Sequence, residues 1–190
     1  MSISIISDVH IREAFGKEYN LMCRFLEHPE VKKSEKVILL GDIFNLMVGS
    51  HRGYISKYKE LFIKITKLLE DGVEIHFVEG NHDFHLMSLF RDYFNRFHGK
   101  SFFYHTEMFE LNKFGKKIVF CHGDDIEIDN DGYRFYRFMI KSFPARLIIN
   151  NVLTFSYINK VGDYWNKKSY ERHRIYNRDE FQKKIKAKFR

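Results

Sequence analysis

Four short polar motifs in this chain each follow an apolar run, and their side chains are of the kinds that bind divalent metals. Asp8-Val9-His10 follows residues 3–7, and Gly41-Asp42 closes residues 36–40. Gly80-Asn81-His82-Asp83 follows residues 74–78, and His122 follows residues 117–120, within Cys121-His122-Gly123-Asp124. Carboxylate and amide oxygens combined with imidazole nitrogens, and no thiolate, suit a borderline-to-hard cation. Along extended backbone, residues i and i+2 share a side, so Asp8 and His10 can reach one ion. Gly41 permits a tight turn ahead of Asp42. Singly these features mean little. An Asp at a strand end is commonly a cap or turn residue, a lone His is usually a satisfied surface or core group, and a Gly-Asp pair is commonplace. Their order, each at the end of an apolar run, carries the metal reading.

The elements that must position these residues follow from hydrophobic period. Residues 3–7, 36–40 and 74–78 read as buried strands, and 108–111 with 117–120 as a strand pair turning at Lys113-Phe114-Gly115. Residues 18–28 read as a helix with Leu21, Met22, Phe25 and Leu26 on one face. Ile55, Tyr58, Leu61, Phe62, Ile65, Leu68 and Leu69 keep a helical period that Asp71-Gly72 ends. A further helix runs to about residue 97, and from Asp131 the pattern is helical with no clear strand and no internal repeat. Strands alternating with helices predict a layered α/β domain. Open sheets of that kind place ligands at the C-terminal ends of their strands, where these motifs fall.

A chain of 190 residues suffices for one domain, and 44% hydrophobic with 30% charged residues describes a globular protein. Cys23 and Cys121 form neither a metal-like spacing nor a disulfide framework, which fits a reducing compartment. The N-terminus carries no basic leader and reads as a strand, and no apolar run has the length of a membrane span, so a cytoplasmic protein is expected. The net charge of +7 is uneven: −3 over residues 1–130 and +10 over residues 131–190. That asymmetry predicts a catalytic part and a basic part that meets something anionic. No recognised nucleic-acid-binding motif accompanies the charge, so nucleic acid is not the expected partner.

In order, Asp8-x-His10, Gly41-Asp42, Gly80-Asn-His-Asp83 and His122 resemble the motifs of calcineurin-like metallophosphoesterases. The resemblance implies a layered fold of β-sheets flanked by helices, and a pair of divalent ions, Mn²⁺ by expectation, with Fe or Zn also suited to the ligands. It implies that Asp8 and His10 bind one ion, that Asp42 bridges both, and that Asn81 and His122 bind the second. His82, oriented by Asp83, would act on the leaving group. Two ions about 3.5–4 Å apart would clamp a phosphoryl group and lower the pKa of a bridging water. The stretch from His122 to Arg137 is similar, more narrowly, to bacterial UDP-2,3-diacylglucosamine pyrophosphatases, which release UMP and a diacylated sugar 1-phosphate. On that resemblance Asp124, Asp129, Asp131, Tyr133 and Arg137 contact substrate. Residues 1–130 form the core and 131–190 a basic helical insertion. Phe138, Ile149, Val152, Leu153, Phe155 and Trp165 would line an acyl groove beside the metals. The basic excess would face lipid phosphate or the inner membrane surface. An ordinary amphipathic helix pair packed on the core is the plainer reading of the same residues.

Two departures stand against the narrower resemblance. Those enzymes commonly carry Arg where this chain has His82, and the family completes its metal site with Gly-His-x-His. After His122 the one remaining histidine is His173, in Glu171-Arg172-His173-Arg174. The sequence therefore predicts a piece of a longer protein, ending before the last core strands. A soluble phosphodiesterase or phosphatase of other substrate, or a binding protein without turnover, are the alternative functions. The structural expectation is that Asp8, His10, Asp42, Asn81 and His122 converge on one pocket with Asp42 between the others. Any two on opposite faces of the sheet would end the metal hypothesis.

Overall fold

The computed structural model describes residues 2–113, 115–123 and 131–172. Four parallel strands form the central sheet: β1 (Ile3–Ile6), β2 (Lys36–Leu40), β4 (Glu74–Val78) and β6 (Phe102–His105), in the order β1-β2-β4-β6. Ile5 pairs with Ile38, Ile38 with His76, and His76 with Phe103. Alternation sends Val37, Leu39, Ile75, Phe77, Phe102 and Tyr104 to one face, where they form the main core with three helices. Those helices are α1 (Lys17–Glu27), α4 (Lys59–Glu70) and α5 (Met87–Tyr93); a short α2 (Pro29–Lys32) leads into β2. This is the layered α/β fold that the sequence predicts.

Three local expectations shift. The buried row of α1 is Tyr19, Met22, Cys23 and Leu26, an i, i+3, i+4, i+7 set, while Leu21 is exposed. The period over 55–69 continues through a break. Tyr58 leaves helical geometry at φ −114° and ψ 33°, its buried ring packs on Phe44 at 4.9 Å, and α3 (Gly53–Lys57) ends before it. Strand β6 and the two-residue parallel strands β3 (Met47–Val48) and β5 (Asp83–Phe84) are absent from the sequence reading. A two-residue strand is too short to show a period.

The opposite face of the sheet carries the hairpin β7 (Phe109–Lys113) and β8 (Lys116–Phe120), which brings His122 to the strand ends. Phe109 and Phe120 pack there on Ile38 and Val78. Phe109 also stacks on His76 at 4.6 Å and on His105 at 4.1 Å. The Glu74 carboxylate can only accept, so His76 Nε2 donates to it at 2.6 Å, and Lys36 pairs with the same carboxylate. His76 Nδ1 is then an acceptor, and His105 Nε2 donates to it at 2.9 Å. Both rings are held neutral; a proton added to His76 Nδ1 breaks this chain, and one added to His105 Nδ1 charges a ring stacked on Phe109.

Beyond the hairpin lie α6 (Asp131–Lys141), α7 (Phe143–Asn151) and α8 (Phe155–Arg172). Ile140, Ile149, Leu153 and Ile158 gather on Leu46, Val48 and Phe84, and Phe155 meets Tyr54 edge-on at 5.0 Å. Of the residues expected to line an acyl groove, Ile149, Leu153 and Phe155 thus pack on the core, whereas Phe138 and Val152 are 71% and 69% exposed. The Trp165 side chain lies outside the described residues. Among the described residues no helix is long and apolar enough to cross a membrane.

The neutral imidazole pair makes stability depend on pH. Burial, with the charge of His76 beside it, pushes His105 down from 6.5 to about 4. Burial also lowers His76, against the pull of Glu74. A histidine depressed in the folded state stabilises above its unfolded pKa and loses that contribution as pH falls. Urea unfolding should therefore weaken between about pH 6.5 and pH 4, by roughly 2 kcal/mol after solvent screening of the half-buried rings. His105→Phe should flatten this dependence; an unchanged profile in that variant would refute the assignment.

Candidate metal centre

The backbone aims the candidate ligands through left-handed turns. Asp8, His10 and Asp42 have φ of 53°, 52° and 52°, a region strained for any residue with a Cβ and often found at functional sites. The extended alternation expected for Asp8 and His10 is thus replaced by two separate reversals. Backbone pairing between the two loops holds them there. Asp8 N–H donates to the Gly41 carbonyl at 3.2 Å, His10 N–H to that of Asp42 at 3.0 Å, and Ile11 N–H to that of Ile43 at 2.9 Å. Gly41 and Gly80 are required by close approach. A Cβ on Gly41, itself at φ 76°, would lie 2.5 Å from His122 Nδ1, and one on Gly80 would lie 2.1 Å from Asp42 Oδ1.

Around buried Asp42 the side chains converge. His122 Nε2 is 3.4 Å and His10 Nε2 3.8 Å from Asp42 Oδ2, and His82 N–H donates to Asp42 Oδ1 at 3.0 Å. His122 Nδ1 donates to the Leu40 carbonyl at 3.0 Å, and His82 Nδ1 to the Asn45 carbonyl at 2.7 Å. A histidine held by one ring nitrogen on a backbone carbonyl, with the other turned toward a cation, is the usual support of a metal centre. The His10 and His82 rings meet edge-on at 5.0 Å. Two groups that could hold a cation result, His10 with Asp42 and His82, and Asp8 with Asp42 and His122, each with one donor atom per residue within 4.8 Å of the others. This donor set, two nitrogen–oxygen groups sharing one carboxylate, fits a pair of divalent cations.

Asp8, His10, Asp42 and His122 therefore stand together at one end of the sheet, and Asn81 is half-buried on the loop that carries His82. The division into sets differs from the one the resemblance implies, which puts Asp8 with His10. Asp83 also departs from expectation. Its carboxylate is fully buried and does not orient His82, whose ring is held by Asn45 instead. Oδ1 accepts from the N–H groups of Asp42 and Gly80 at 2.9 Å each, and Oδ2 from those of Ile43 at 2.7 Å and Phe44 at 3.2 Å. Asp83 locks the two ligand-bearing loops to each other. The sequence offers no signal for Asn45 or Leu40, because any residue type supplies a carbonyl.

Electrostatics match a cation site. Burial would raise the Asp42 carboxyl, but the hydrogen bond from His122 and the charges of His82 and His122 outweigh it and hold it below its ordinary value. Burial lowers His10, against the opposing charge of Asp42, and so favours the neutral imidazole that can bind metal. Burial, and then the charge of Asp42, push Asp83 up to about 7 against the N–H groups that hold it ionised. Among the expected substrate contacts, Asp124 and Asp129 lie outside the described residues, as do the side chains of Asp131 and Tyr133 on α6. Arg137 is on α6, and its charge reaches Glu79 at the end of β4.

Strand-end loops that gather nitrogen and oxygen donors on a layered α/β sheet are joined by a family match: the model for calcineurin-like phosphoesterases matches residues 1–187. The chain belongs to that family. Curated relatives are named UDP-2,3-diacylglucosamine hydrolase. One from Neisseria meningitidis is 32% identical over 133 residues, 70% of this chain and 52% of its own. Others from Haemophilus influenzae and Histophilus somni are 29% and 27% identical over 134 and 132 residues, again 70% of this chain. The chain spans about half the length of these relatives, 52% to 53%.

The Asp83 clamp generates a test. An amide at this position keeps one acceptor oxygen and turns an NH₂ group toward backbone donors, so Asp83→Asn leaves buried N–H groups unpaired. Stability should fall by about 3 kcal/mol in urea unfolding, and Mn²⁺ binding measured by calorimetry should weaken with it. A variant with wild-type stability would show that the four bonds are not the lock.

Proposed function

We propose that this chain is the metal-binding portion of a hydrolase that cleaves the pyrophosphate of a nucleotide-sugar lipid, UDP-2,3-diacylglucosamine or a close relative, to UMP and a lipid sugar 1-phosphate. The observation that carries the reading is the pair of ligand sets sharing Asp42 beside three basic helices, in a family member whose relatives bear that name. Asp8, His10, Asp42, Asn81 and His122 would hold two divalent cations, Mn²⁺ being the first to test. The cations would supply Lewis acidity to the phosphoryl oxygens and to an attacking water. Asp42 orients both positions. His82, fixed through Nδ1 by the Asn45 carbonyl, presents Nε2 to the leaving oxygen. Arg137 on α6 offers a positive charge to a phosphate or carboxylate of the substrate, and Asp124, Asp129, Asp131 and Tyr133 complete the substrate contacts.

Exposed Phe135, Phe138 and Phe143 on α6 and α7, and Val152 just after α7, beside exposed Arg146, suit contact with an anionic membrane surface. This supports peripheral attachment at the inner face of the membrane. A second reading, a phosphodiesterase acting on a non-lipid ester, is favoured by the packing of Ile149, Leu153 and Phe155 into the core.

The two readings separate by assaying the full-length protein with Mn²⁺ on the diacylated UDP-sugar and its deacylated form. The lipid reading requires a clear preference in kcat/KM for the diacylated form, because burying acyl chains yields about 25 cal/mol per Å². Equal efficiency would leave only the phosphodiesterase reading. Asp42→Ala should abolish metal-dependent hydrolysis. His82→Ala should lower kcat while manganese content stays at the wild-type level by elemental analysis; loss of the metal would make His82 a ligand instead.

A further inference from the structure

Helix α6 carries Asp131, Tyr133 and Arg137, yet it buries little of its own. Phe135, Tyr136, Phe138 and Met139 are all exposed. Its last turn is tied to the core. Ile140 packs on the cluster of Val48, Phe84 and Ile158. The Ile140 carbonyl, near the C-terminal end of the helix, accepts a hydrogen bond from His85 Nε2 at 2.9 Å. Lys141, one residue on and one turn beyond Arg137, points its ammonium inward. That ammonium is shut off from solvent and makes no hydrogen bond among the described residues; the nearest opposite charge is Glu79 Oε2 at 3.8 Å.

Glu79 is buried at the end of β4, directly before Gly80-Asn81-His82. Its Oε1 accepts from His85 N–H at 2.7 Å and from the Tyr104 hydroxyl. The Tyr104 oxygen in turn accepts from Leu86 N–H at 2.9 Å. One carboxylate therefore ties both ends of the loop from 79 to 86, which holds Asn81 and His82 between them. The same carboxylate faces the ammonium of α6. His85 is shared as well: its N–H binds Glu79 and its ring binds α6, and it sits at φ 60°, a strained conformation that these two bonds sustain.

We infer that Glu79 is a positioning residue that sets the loop bearing Asn81 and His82 and the substrate-side helix α6 as one unit, so that metal binding and the docking of α6 depend on each other. The inference rests on the metal-centre reading above and adds to it a residue that touches neither ion nor substrate. The coupling is reciprocal by linkage: whatever metal occupancy gives to α6, a docked α6 returns to metal affinity. The network is local to one face of the loop, so its loss should loosen the loop and the helix while the core of the sheet stays intact.

The test uses the whole chain, Mn²⁺ titration by calorimetry, and hydrogen exchange over residues 131–141 with and without Mn²⁺. In the wild type, Mn²⁺ should slow exchange in α6. Glu79→Leu should weaken Mn²⁺ binding about 10-fold, the scale of lost support around a metal ligand, and abolish the slowing. Glu79→Gln keeps an acceptor oxygen for His85 and Tyr104 but turns an NH₂ group toward Lys141, so it should recover the loop's part of the Mn²⁺ affinity while exchange in α6 stays fast, a split that a general loss of stability would not produce. Lys141→Met, made on an outer helix so that the core still folds, should speed exchange in α6 and weaken Mn²⁺ binding. Exchange in α6 that ignores Mn²⁺ in a wild type that binds it, or Lys141→Met with unaltered exchange, overturns the inference while the metal centre stands. A wild type that binds no Mn²⁺ removes the metal-centre reading and this inference with it.

Discussion

A carboxylate taken out of water needs its lone pairs matched, and in this protein the backbone supplies the match. Asp83 is surrounded by the N–H groups of Gly80, Asp42, Ile43 and Phe44, donors that belong to the loops after β4 and β2. Satisfying one buried charge thereby fixes the distance and orientation of those two loops. Asp42 is held at positive φ by the same bonds, and its own carboxylate is turned back to accept from His82 N–H. The loop after β1 is then laid along the loop after β2 by backbone pairing, which carries Asp8 and His10 into place. Remove the buried charge and three strained conformations lose the context that sustains them.

The fourth loop arrives from the other side of the sheet. His122 depends on the β7–β8 hairpin, and the hairpin depends on Phe109 and Phe120 stacking over Ile38, Val78 and the His76–His105 pair. Burying imidazole rings among aromatic side chains works only while they are neutral, so one wall of the candidate metal centre rests on groups that charge in acid. The two faces of the sheet thus contribute differently. The helical face supplies a large apolar core, and the hairpin face supplies a smaller mixed junction with a polar chain of hydrogen bonds at its centre.

The basic helices combine two characters that the sequence presents as alternatives. Ile149, Leu153 and Phe155 anchor α7 and α8 to the core, while α6 and the outer side of α7 leave several phenylalanines in solvent beside exposed Arg146. An anchored inner side and an apolar, cationic outer side are compatible with a substrate that is itself half lipid and half phosphate. The last turn of α6 meets the core through Ile140, Glu79 and His85.

The sequence by itself determined three strands of the central sheet, the hairpin and the candidate ligand types. Short runs dominated by Ile, Val, Leu and Phe define β1, β2 and β4, although β1 at the end of the strand order is only partly buried, and the polar residue that ends each run is legible by contrast. The convergence of Asp8, His10, Asp42 and His122 was readable from their placement at successive strand ends, since parallel strands align their C-terminal ends. Only the tertiary structure decided what supports them. Leu40 and Asn45 orient two histidines through carbonyls that every residue owns, so no residue type could announce them. Asp83 reads as a partner for its neighbour His82, but four N–H groups brought from two loops compete for it and win, because together they satisfy a buried charge that one imidazole could not. The break at Tyr58 and the role of Glu79 are hidden for the same reason: hydrophobic period reports which face is buried, and says nothing of which atoms meet across the fold.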